Sequence, residues 1–273
     1  MIPAPFTYKR AFSIDEALDL AARDGEDAKF LAGGHSLLPL MKLRLAVPEV
    51  LIDIGRLGEL RYVREQDGHI AVGAATSHDE LARSGLLLRE LPLLAHAASQ
   101  VGDPQVRHRG TIGGSLVHAD PAADLPAVAL ALDATLVARG PSGSREIAAG
   151  EFFQSLFETA LEPDELLTEI RFPRPDSPAS WAFQKFTKRA IDWAIVGVAV
   201  QDGNVALVNM GQTPLRAAAV EQALAAGASP RDAAAHAAEG TSPSTDINGD
   251  ARYRQHLARV LVGRALEESR SRA

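Results

Sequence analysis

The sequence predicts an α+β protein in which a mixed N-terminal part is followed by an antiparallel sheet packed on helices. Near the N-terminus, the apolar stretch AKFL, the helical pattern SLLPLMKLR and the apolar stretch VPEVLIDIG follow one another with short links. Strand, helix and strand in that order predict a small α/β unit with parallel pairing. Near the C-terminus, the alternating or apolar stretches WAFQKFTK, AIVGVAVQ and NVALVNM precede helical patterns around 216–226, 229–238 and 250–270. Strands joined through Asp202-Gly203 and followed by helices predict an antiparallel sheet with helices against it.

Local signals place the elements of the N-terminal part. Ser13 is a candidate N-cap with Glu16 three residues on, and Gly25 follows the helix that they predict over 13–24. Asp67-Gly68 is a strong turn signal and predicts a hairpin within 59–75. The remaining predicted elements are helices at 76–84 and 91–102, a loop, a helix and a strand across 111–140, and strands at 140–151 and 164–175.

A proline-containing stretch separates the two parts. The region from Pro173 to Pro178 interrupts both strand and helix patterns, which predicts a boundary near residue 177. The predicted domains are therefore 1–177 and 178–273, and the first is divided into a small α/β subdomain at 1–56 and a mixed α/β subdomain at 57–177.

The composition excludes several functional classes. The 273 residues are 46% hydrophobic and 23% charged, with a formal net charge of -7 and no cysteine. This charge argues against nucleic-acid binding, because phosphates are bound by an excess of lysine and arginine. Without cysteine, the chain has no disulfide, no thiolate nucleophile and no cysteine-ligated iron–sulfur cluster. The first residues lack a signal-peptide pattern and the longest apolar stretch, 125–138, is too short to span a bilayer, so we expect a cytosolic (cytoplasmic) protein.

Two segments each place a Gly-Gly pair after an apolar residue, LAGGHSLL at 31–38 and TIGGSLVH at 111–118. Glycine tolerates positive φ and close approach of a ligand to the main chain, and consecutive N–H groups at such turns form anion-binding concavities. Ser36 is expected to cap the following helix, with Pro39 in its first turn. Each segment alone is also compatible with an ordinary strand-to-helix turn, and neither matches a G-x-G-x-x-G or P-loop pattern. Together with HADPAADLP at 118–126, the pair predicts a site that holds the two ends of one diphosphate.

The stretches AGGHSLLPLMKLR and GTIGGSLVHADPAADLPA resemble the FAD-binding medium subunit of molybdenum hydroxylases, the xanthine dehydrogenase family. Within that family the chain is most similar to the carbon monoxide dehydrogenase type. The resemblance extends over FTYKRAFSIDEAL, LLTEIRFP, FQKFTKRAIDWAIVGVAV and the C-terminal domain. It implies a two-subdomain, PCMH-type FAD-binding fold like that of vanillyl-alcohol oxidase for 1–177, and a carbon monoxide dehydrogenase flavoprotein C-terminal-like domain for 178–273.

The resemblance also implies which residues contact FAD. The first glycine segment wraps the diphosphate with Ala32, Gly33, Gly34, His35, Ser36 and Leu37. The second segment, with Thr111, Gly114 and Ser115, meets the diphosphate and ribityl chain, and Val101 and Gly102 pack near the cofactor. Asp124, adjoined by Ala123, contacts the adenosine end, and Leu167 contacts the adenine region. Lys185 lies close to the flavin, and Trp193 lies beside the isoalloxazine, where the carbon monoxide type is expected to have tyrosine.

Several of these side chains have a plainer alternative. Asp124 is compatible with a helix cap or a surface acid, Lys185 with a solvated strand residue, and Trp193 with the core. His35 is a candidate general base, but its place between Gly34 and Ser36 favours a role for its backbone N–H. We therefore assign no catalytic residue.

Other polar residues are interpreted as structural. His118 with Asp120, and His108 with Arg109, are candidates for acid–base or metal groups, but no His-x-x-x-His or carboxylate–histidine spacing supports a metal site. The loop before Thr111 is expected to be shaped by Asp103, Arg107 and Arg109. The charged face of the helix predicted at 250–270 is expected to be solvated surface or a subunit contact.

The function that the resemblance implies is electron transfer. A large subunit with the molybdenum cofactor oxidises and hydroxylates the substrate, a small subunit carries the 2Fe–2S clusters, and FAD on this chain passes the electrons to an external acceptor. The absence of cysteine fits this division, because the clusters must then lie on partners. The implied assembly is a dimer of heterotrimers. The alternatives are a free-standing FAD-dependent oxidoreductase that acts directly on a small organic substrate, and a nucleotide-binding or scaffold module without redox function.

Overall fold

A computed structural model describes residues 2–175 and 179–272, so the boundary predicted at residue 177 lies outside the described residues. The strands are β1 Thr7–Arg10, β2 Ala28–Leu31, β3 Val50–Asp53, β4 Val63–Gln66, β5 His69–Gly73, β6 Thr135–Gly140, β7 Gly143–Ala148, β8 Phe153–Ser155, β9 Glu158–Thr159, β10 Leu166–Pro173, β11 Trp181–Phe186, β12 Val196–Gln201, β13 Asn204–Val208 and β14 Leu215–Arg216. The α-helices are α1 Ile14–Asp24, α2 Leu37–Lys42, α3 His78–Arg83, α4 Gly85–Glu90, α5 Pro92–Ser99, α6 Pro104–Arg109, α7 Ile112–His118, α8 Asp124–Ala131, α9 Ala149–Phe152, α10 Ala218–Ala225, α11 Pro230–Ala234 and α12 Ala251–Arg270.

The first sheet is parallel and has the strand order β1-β3-β2. The predicted strand–helix–strand unit is confirmed as β2, α2 and β3. Helix α1 begins as predicted, because the Ser13 side chain accepts a hydrogen bond from the Glu16 N–H, and it ends at Gly25 with φ +63°. Strand β1 was not predicted, because its four residues are largely exposed and carry no buried–exposed alternation.

The second sheet is antiparallel and has the strand order β4-β5-β10-β6-β7. The hairpin predicted at Asp67-Gly68 joins β4 to β5, with both turn residues at positive φ. Helices α3, α5, α7 and α8 pack with this sheet around a core of small and branched apolar side chains. Helix α8 is buried on every side, which is why its sequence has no polar face.

The second glycine segment is a helix rather than the predicted loop. Thr111 is the N-cap of α7, and its hydroxyl accepts a hydrogen bond from the Gly114 N–H at 3.1 Å. The N–H groups of Ile112 and Gly113 bond to the carbonyl oxygens of Thr76 and Ala74. These contacts from another part of the chain hold two glycines in a helical turn, although glycine disfavours helix by about 1 kcal/mol.

The C-terminal part contains the predicted antiparallel sheet, with the order β11-β12-β13-β14. One face of the sheet, including Val196 and Val198, packs against α12, and the other face, including Ala199 and Ala206, joins the core around α5 and α8. Helix α12 buries apolar side chains that include Leu257, Leu261 and Ala265, but it also buries Arg254 completely. The charged face of this helix is expected to be solvated surface or a subunit contact, and Arg254 lies instead on its buried face.

Candidate cofactor site

A cavity of about 620 Å³ lies where the β2–α2 turn, the start of α7, the start of α8 and the β11–β12 loop meet. All the residues predicted from the family resemblance line it except Leu167. Those lining residues are Ala32, Gly33, Gly34, His35, Ser36, Leu37, Val101, Gly102, Thr111, Gly114, Ser115, Ala123, Asp124, Lys185 and Trp193. Leu167 lines a neighbouring apolar cavity of about 100 Å³, which shares Ala32 and Gly114 with the first.

The β2–α2 turn needs its two glycines for different reasons. A Cβ on Gly33 would lie 2.1 Å from the carbonyl oxygen of Arg109, so this glycine allows two backbone segments to pack together. Gly34 has φ +78°, a conformation that side chains strongly disfavour. The expectation that both glycines leave space for a ligand is therefore corrected at Gly33. There, the main chain at Arg109 occupies the space that a side chain would need.

Ser36 occupies the predicted N-cap position of α2 but does not cap the helix. Its backbone has φ −100° and ψ −51°, and its side chain makes no capping hydrogen bond. The prediction of a capping role is wrong, because a capping side chain requires an extended backbone at that residue. Among the hydrogen bonds of the described residues, none uses the backbone N–H of His35 or Ser36 as donor. The turn thus has two consecutive backbone donors without a partner, and both residues line the cavity.

Asp124 and Lys185 form a buried ion pair at the cavity wall. Lys185 Nζ lies 2.7 Å from Asp124 Oδ2 and donates to the Gln100 carbonyl oxygen at 3.1 Å. The side chains of Lys185 and Asp124 are 8% and 5% exposed. The alternative interpretations of Lys185 as a solvated strand residue and of Asp124 as a surface acid are therefore wrong. Burial raises the pKa of Asp124 to about 6, and Lys185 opposes this rise. Asp124 Oδ1 is buried without a hydrogen-bond partner, which leaves an acceptor available to a ligand hydroxyl or amine.

His78 is a cavity residue that sequence reasoning missed. It is the first residue of α3, beside a capping box formed by Ser77 and Glu80, and its N–H donates to the Gly110 carbonyl oxygen at 2.9 Å. Burial, together with smaller contributions from the charges of His35 and Arg107, lowers its pKa to about 4. The cap was recognisable from TSHDE, but the contact with Gly110 joins distant parts of the sequence and has no local signal.

Aromatic and aliphatic side chains from loops form part of the cavity wall. Trp193 is 59% exposed, so the alternative that it belongs to the core is wrong, and Ile191 beside it is 56% exposed. Phe157, which was not predicted, lines the cavity and stacks on His118 with ring centroids 5.1 Å apart. Burial lowers the pKa of His118, and Asp120 partly opposes this.

The segment before α7 has the structural role that was predicted for it. The Asp103 side chain caps α6 by accepting from the Val106 N–H at 2.8 Å. Arg107 Nη1 donates to the carbonyl oxygens of Val101 and Gly102 at 3.0 and 2.9 Å. Within residues 2–175 and 179–272, no group of three or more His, Cys, Asp or Glu side chains could hold a metal ion. No helix in those ranges is long and apolar enough to cross a bilayer.

Comparison with known proteins identifies the family. Residues 4–175 match the family model of the FAD binding domain in molybdopterin dehydrogenase, and residues 181–269 match that of the CO dehydrogenase flavoprotein C-terminal domain. The chain belongs to the FAD-binding subunits of the molybdopterin dehydrogenases. It is 42% identical to the carbon monoxide dehydrogenase medium chain of Hydrogenophaga pseudoflava, over 100% of this chain and 99% of the relative.

Two further relatives support this membership. The chain is 39% identical to the 6-hydroxypseudooxynicotine dehydrogenase complex subunit alpha of Paenarthrobacter nicotinovorans, over 100% of this chain and 97% of the relative. It superposes on a chain of reconstituted CO dehydrogenase from Oligotropha carboxidovorans with a TM-score of 0.96 and 39% identity, with 100% of both chains covered. The predicted fold class is confirmed, and this FAD-binding subunit is an oxidoreductase subunit of the carbon monoxide and xanthine dehydrogenase family.

The cavity of this FAD-binding subunit fits its cofactor. The unpaired N–H groups of His35 and Ser36 would be donors for an anionic diphosphate. The buried Asp124 Oδ1 would be an acceptor for a hydroxyl, and the small cavity that Leu167 lines is mainly apolar. The individual contacts of each residue with FAD stay predictions.

Proposed function

We propose that this chain holds FAD in the cavity between its two glycine segments and relays electrons from a 2Fe–2S cluster of a partner to an external acceptor. One observation carries the proposal: two Gly-Gly segments that are distant in the sequence contribute to the same cavity, together with Lys185 and Trp193 from the C-terminal part. This site, which both parts of the chain form, has the size and the mixture of polar and apolar groups that a dinucleotide cofactor requires.

The roles of the chain's residues follow from their positions. FAD supplies the redox chemistry when it is bound, and the protein supplies binding, orientation and electrostatics. The N–H groups of His35 and Ser36 bind the diphosphate, and Asp124 Oδ1 accepts a hydrogen bond from the cofactor. Lys185, held by Asp124 and by the Gln100 carbonyl oxygen, places a fixed positive charge at the wall. Trp193, Ile191 and Phe157 supply apolar surface for contact with the cofactor.

The names of the relatives support the proposed partners. The first is the medium chain of a carbon monoxide dehydrogenase, and another is a subunit of a dehydrogenase complex. We accordingly propose a cytoplasmic complex with a large molybdenum-cofactor subunit and a small iron–sulfur subunit, assembled as a dimer of heterotrimers. The chain has no cysteine, so the cluster ligands must come from a partner.

The test is purification of the tagged full-length chain from cells that make the whole complex. We expect co-purification of two further subunits, with molybdenum, iron and flavin measured by metal analysis and absorption. A yellow monomer that oxidises a small substrate by itself would support the free-standing oxidoreductase instead. A chain that contains no flavin and does not bind added FAD would refute both.

Electron relay has a separate test in the same complex. Gly114→Val is expected to abolish FAD binding, because a branched side chain would project into the cavity that Gly114 lines. The iron–sulfur centres of that complex, once reduced with dithionite, should then be reoxidised by an acceptor dye more slowly than those of the unmodified complex. Equal reoxidation rates with and without FAD would contradict the relay.

A further inference from the structure

The loop between β11 and β12 carries Ile191, Asp192 and Trp193 to the cavity, but the Trp193 ring is mostly exposed. Its position therefore depends on how the backbone of the loop is held. At the start of β12, the Ile195 N–H donates to the Phe186 carbonyl oxygen at 2.8 Å, which closes the loop. The carbonyl groups that directly follow Trp193 are held by two side chains from outside the loop.

Asn209 is the first of these side chains. Its Nδ2 donates to the Ala194 carbonyl oxygen at 2.8 Å and to the Ile195 carbonyl oxygen at 3.3 Å. Its own backbone N–H donates to the Pro121 carbonyl oxygen at 2.8 Å, in the turn that precedes Asp124. Asn209 thus joins the loop that carries Trp193 to the segment that carries Asp124. Its φ of +62° is a conformation that asparagine tolerates better than most residues.

Arg254 is the second. It lies on α12, is completely buried, and donates from Nη1 to the Ile195 carbonyl oxygen at 2.5 Å. Its Nη2 is 2.7 Å from Asp246 Oδ2, which balances the charge. Its Nε is buried without a hydrogen-bond partner. A buried guanidinium is costly unless its donors are paired, so the bond from Nη1 to the Ile195 carbonyl oxygen offsets part of that cost and favours one position of that carbonyl.

We infer that Asn209 and Arg254 are positioning residues of the FAD site, which hold the Trp193 loop against the cavity through the carbonyl groups of Ala194 and Ile195. The inference rests on the proposed function, because it assigns to the loop a part in holding the cofactor. Neither residue lines the cavity, so both act through the loop backbone.

The experiment uses the full-length chain with Trp181→Phe, which leaves Trp193 as its one tryptophan. Asn209→Gly keeps the positive φ accessible while removing the side-chain donors. Arg254→Lys keeps the charge but loses the forked geometry that reaches both partners. Arg264→Met, at an exposed arginine of the same helix, is the matched control. Fluorescence anisotropy of Trp193 without FAD, FAD affinity by equilibrium dialysis, and thermal unfolding are measured for each variant.

We expect lower Trp193 anisotropy and about tenfold weaker FAD binding for Asn209→Gly and Arg254→Lys, the size of effect typical of losing a hydrogen bond to a charged or well-aligned donor. Arg264→Met should match the parent chain in both. A lower unfolding temperature with unchanged anisotropy and unchanged FAD affinity would overturn the inference and leave the two residues a purely structural role. If Arg254→Lys does not fold, the anisotropy and FAD affinity of Asn209→Gly test the inference alone. If the parent chain itself binds no FAD, the proposed function fails, whereas unchanged Trp193 anisotropy is what would refute the positioning of the loop.

Discussion

Gly113 and Gly114 are neighbours in the first turn of α7, yet their missing side chains face different surroundings. A Cβ on Gly113 would lie 2.6 Å from the carbonyl oxygen of Ala74, whereas a Cβ on Gly114 would approach the Thr111 hydroxyl oxygen at 2.9 Å. Gly114 lines the large cavity. One glycine is therefore required by backbone packing, and the other leaves space at the candidate site.

Alanine at each position should separate these roles. Gly113→Ala is expected to lower the free energy of unfolding by about 1–3 kcal/mol, because the backbone at Ala74 must move. Gly114→Ala should change it by less than about 1 kcal/mol, since alanine favours helix and the Thr111 side chain can adjust. The same variant should weaken FAD binding, because its methyl group enters the cavity. Urea unfolding and FAD titration check this, and wild-type FAD affinity in Gly114→Ala would contradict it.

His78 makes stability depend on pH. Its pKa is about 4 in the folded chain and 6.5 without the fold, so between these values the unfolded chain binds the additional proton. Stability is then fully present above pH 6.5 and falls as the pH is lowered toward 4, by up to about 3 kcal/mol. His78→Gln cannot take up a proton and should flatten the profile in that window, as measured by urea unfolding at several pH values. His256→Gln, at an exposed histidine of α12, is the control, and an unchanged slope in His78→Gln would refute the prediction.

The starts of α1 and α3 are placed correctly from sequence, because each depends on a local cap. Ser13 caps α1 and Ser77 caps α3, each through the N–H three residues on. The predictions of a cap at Ser36 and of a loop at the second glycine segment were wrong. The backbone at Ser36 is helical, and α7 begins where bonds to Ala74 and Thr76 hold it. Those bonds join parts of the chain that no local pattern connects.

The N-cap of helix α6, Asp103, allows the contribution of a single cap to stability to be measured. Asp103 accepts from the Val106 N–H, and Arg107 of the same helix holds the carbonyl oxygens of Val101 and Gly102. Asp103→Ala is expected to lower the free energy of unfolding by about 1 kcal/mol, whereas Asp103→Asn, which still caps, should cost much less. Thermal unfolding measures both. Equal destabilisation by the two substitutions would mean that the charge, not the cap, matters.

At the scale of the molecule, the C-terminal sheet is covered on both faces. Helix α12 packs on one face, and α5 and α8 pack on the other. Strand β11 therefore lies at the junction of the two parts, where Lys185 pairs with Asp124 and with the Gln100 carbonyl oxygen. The ion pair links the C-terminal sheet to the N-terminal part beside the cofactor cavity.

Lys185→Met tests this link. Removing one partner of a buried ion pair typically costs about 3–5 kcal/mol, because the other charge is left uncompensated. Since Lys185 lowers the pKa of Asp124, its loss should raise that pKa above about 6. A carboxyl group whose pKa is raised by folding contributes stability at low pH that is lost as the pH rises through the folded pKa, so the destabilisation of the variant relative to the unmodified chain should be largest near pH 8 and smaller toward pH 5.

Adding Asp124→Asn to Lys185→Met is the control for that prediction. Asparagine carries no charge, so the double variant should lose the additional fall in stability between pH 5 and pH 8 and should be more stable than Lys185→Met near pH 8. Urea unfolding across this range measures both chains. Equal pH profiles of the single and the double variant would show that Asp124 stays ionised without penalty.

The sequence by itself determined the fold class, the cap of α1 and the Asp67-Gly68 hairpin turn, and its family resemblance pointed to many of the residues that line one cavity. These depend on periodicity, on partners a few residues apart, and on motifs that are continuous in the chain. The tertiary structure alone decided that Gly33 makes room for the Arg109 carbonyl, that His78 lies at the cavity, and that Arg254 is buried under the Trp193 loop. Each of these is a contact between distant segments, and its energy depends on packing and desolvation that exist only once the two parts of the chain have come together.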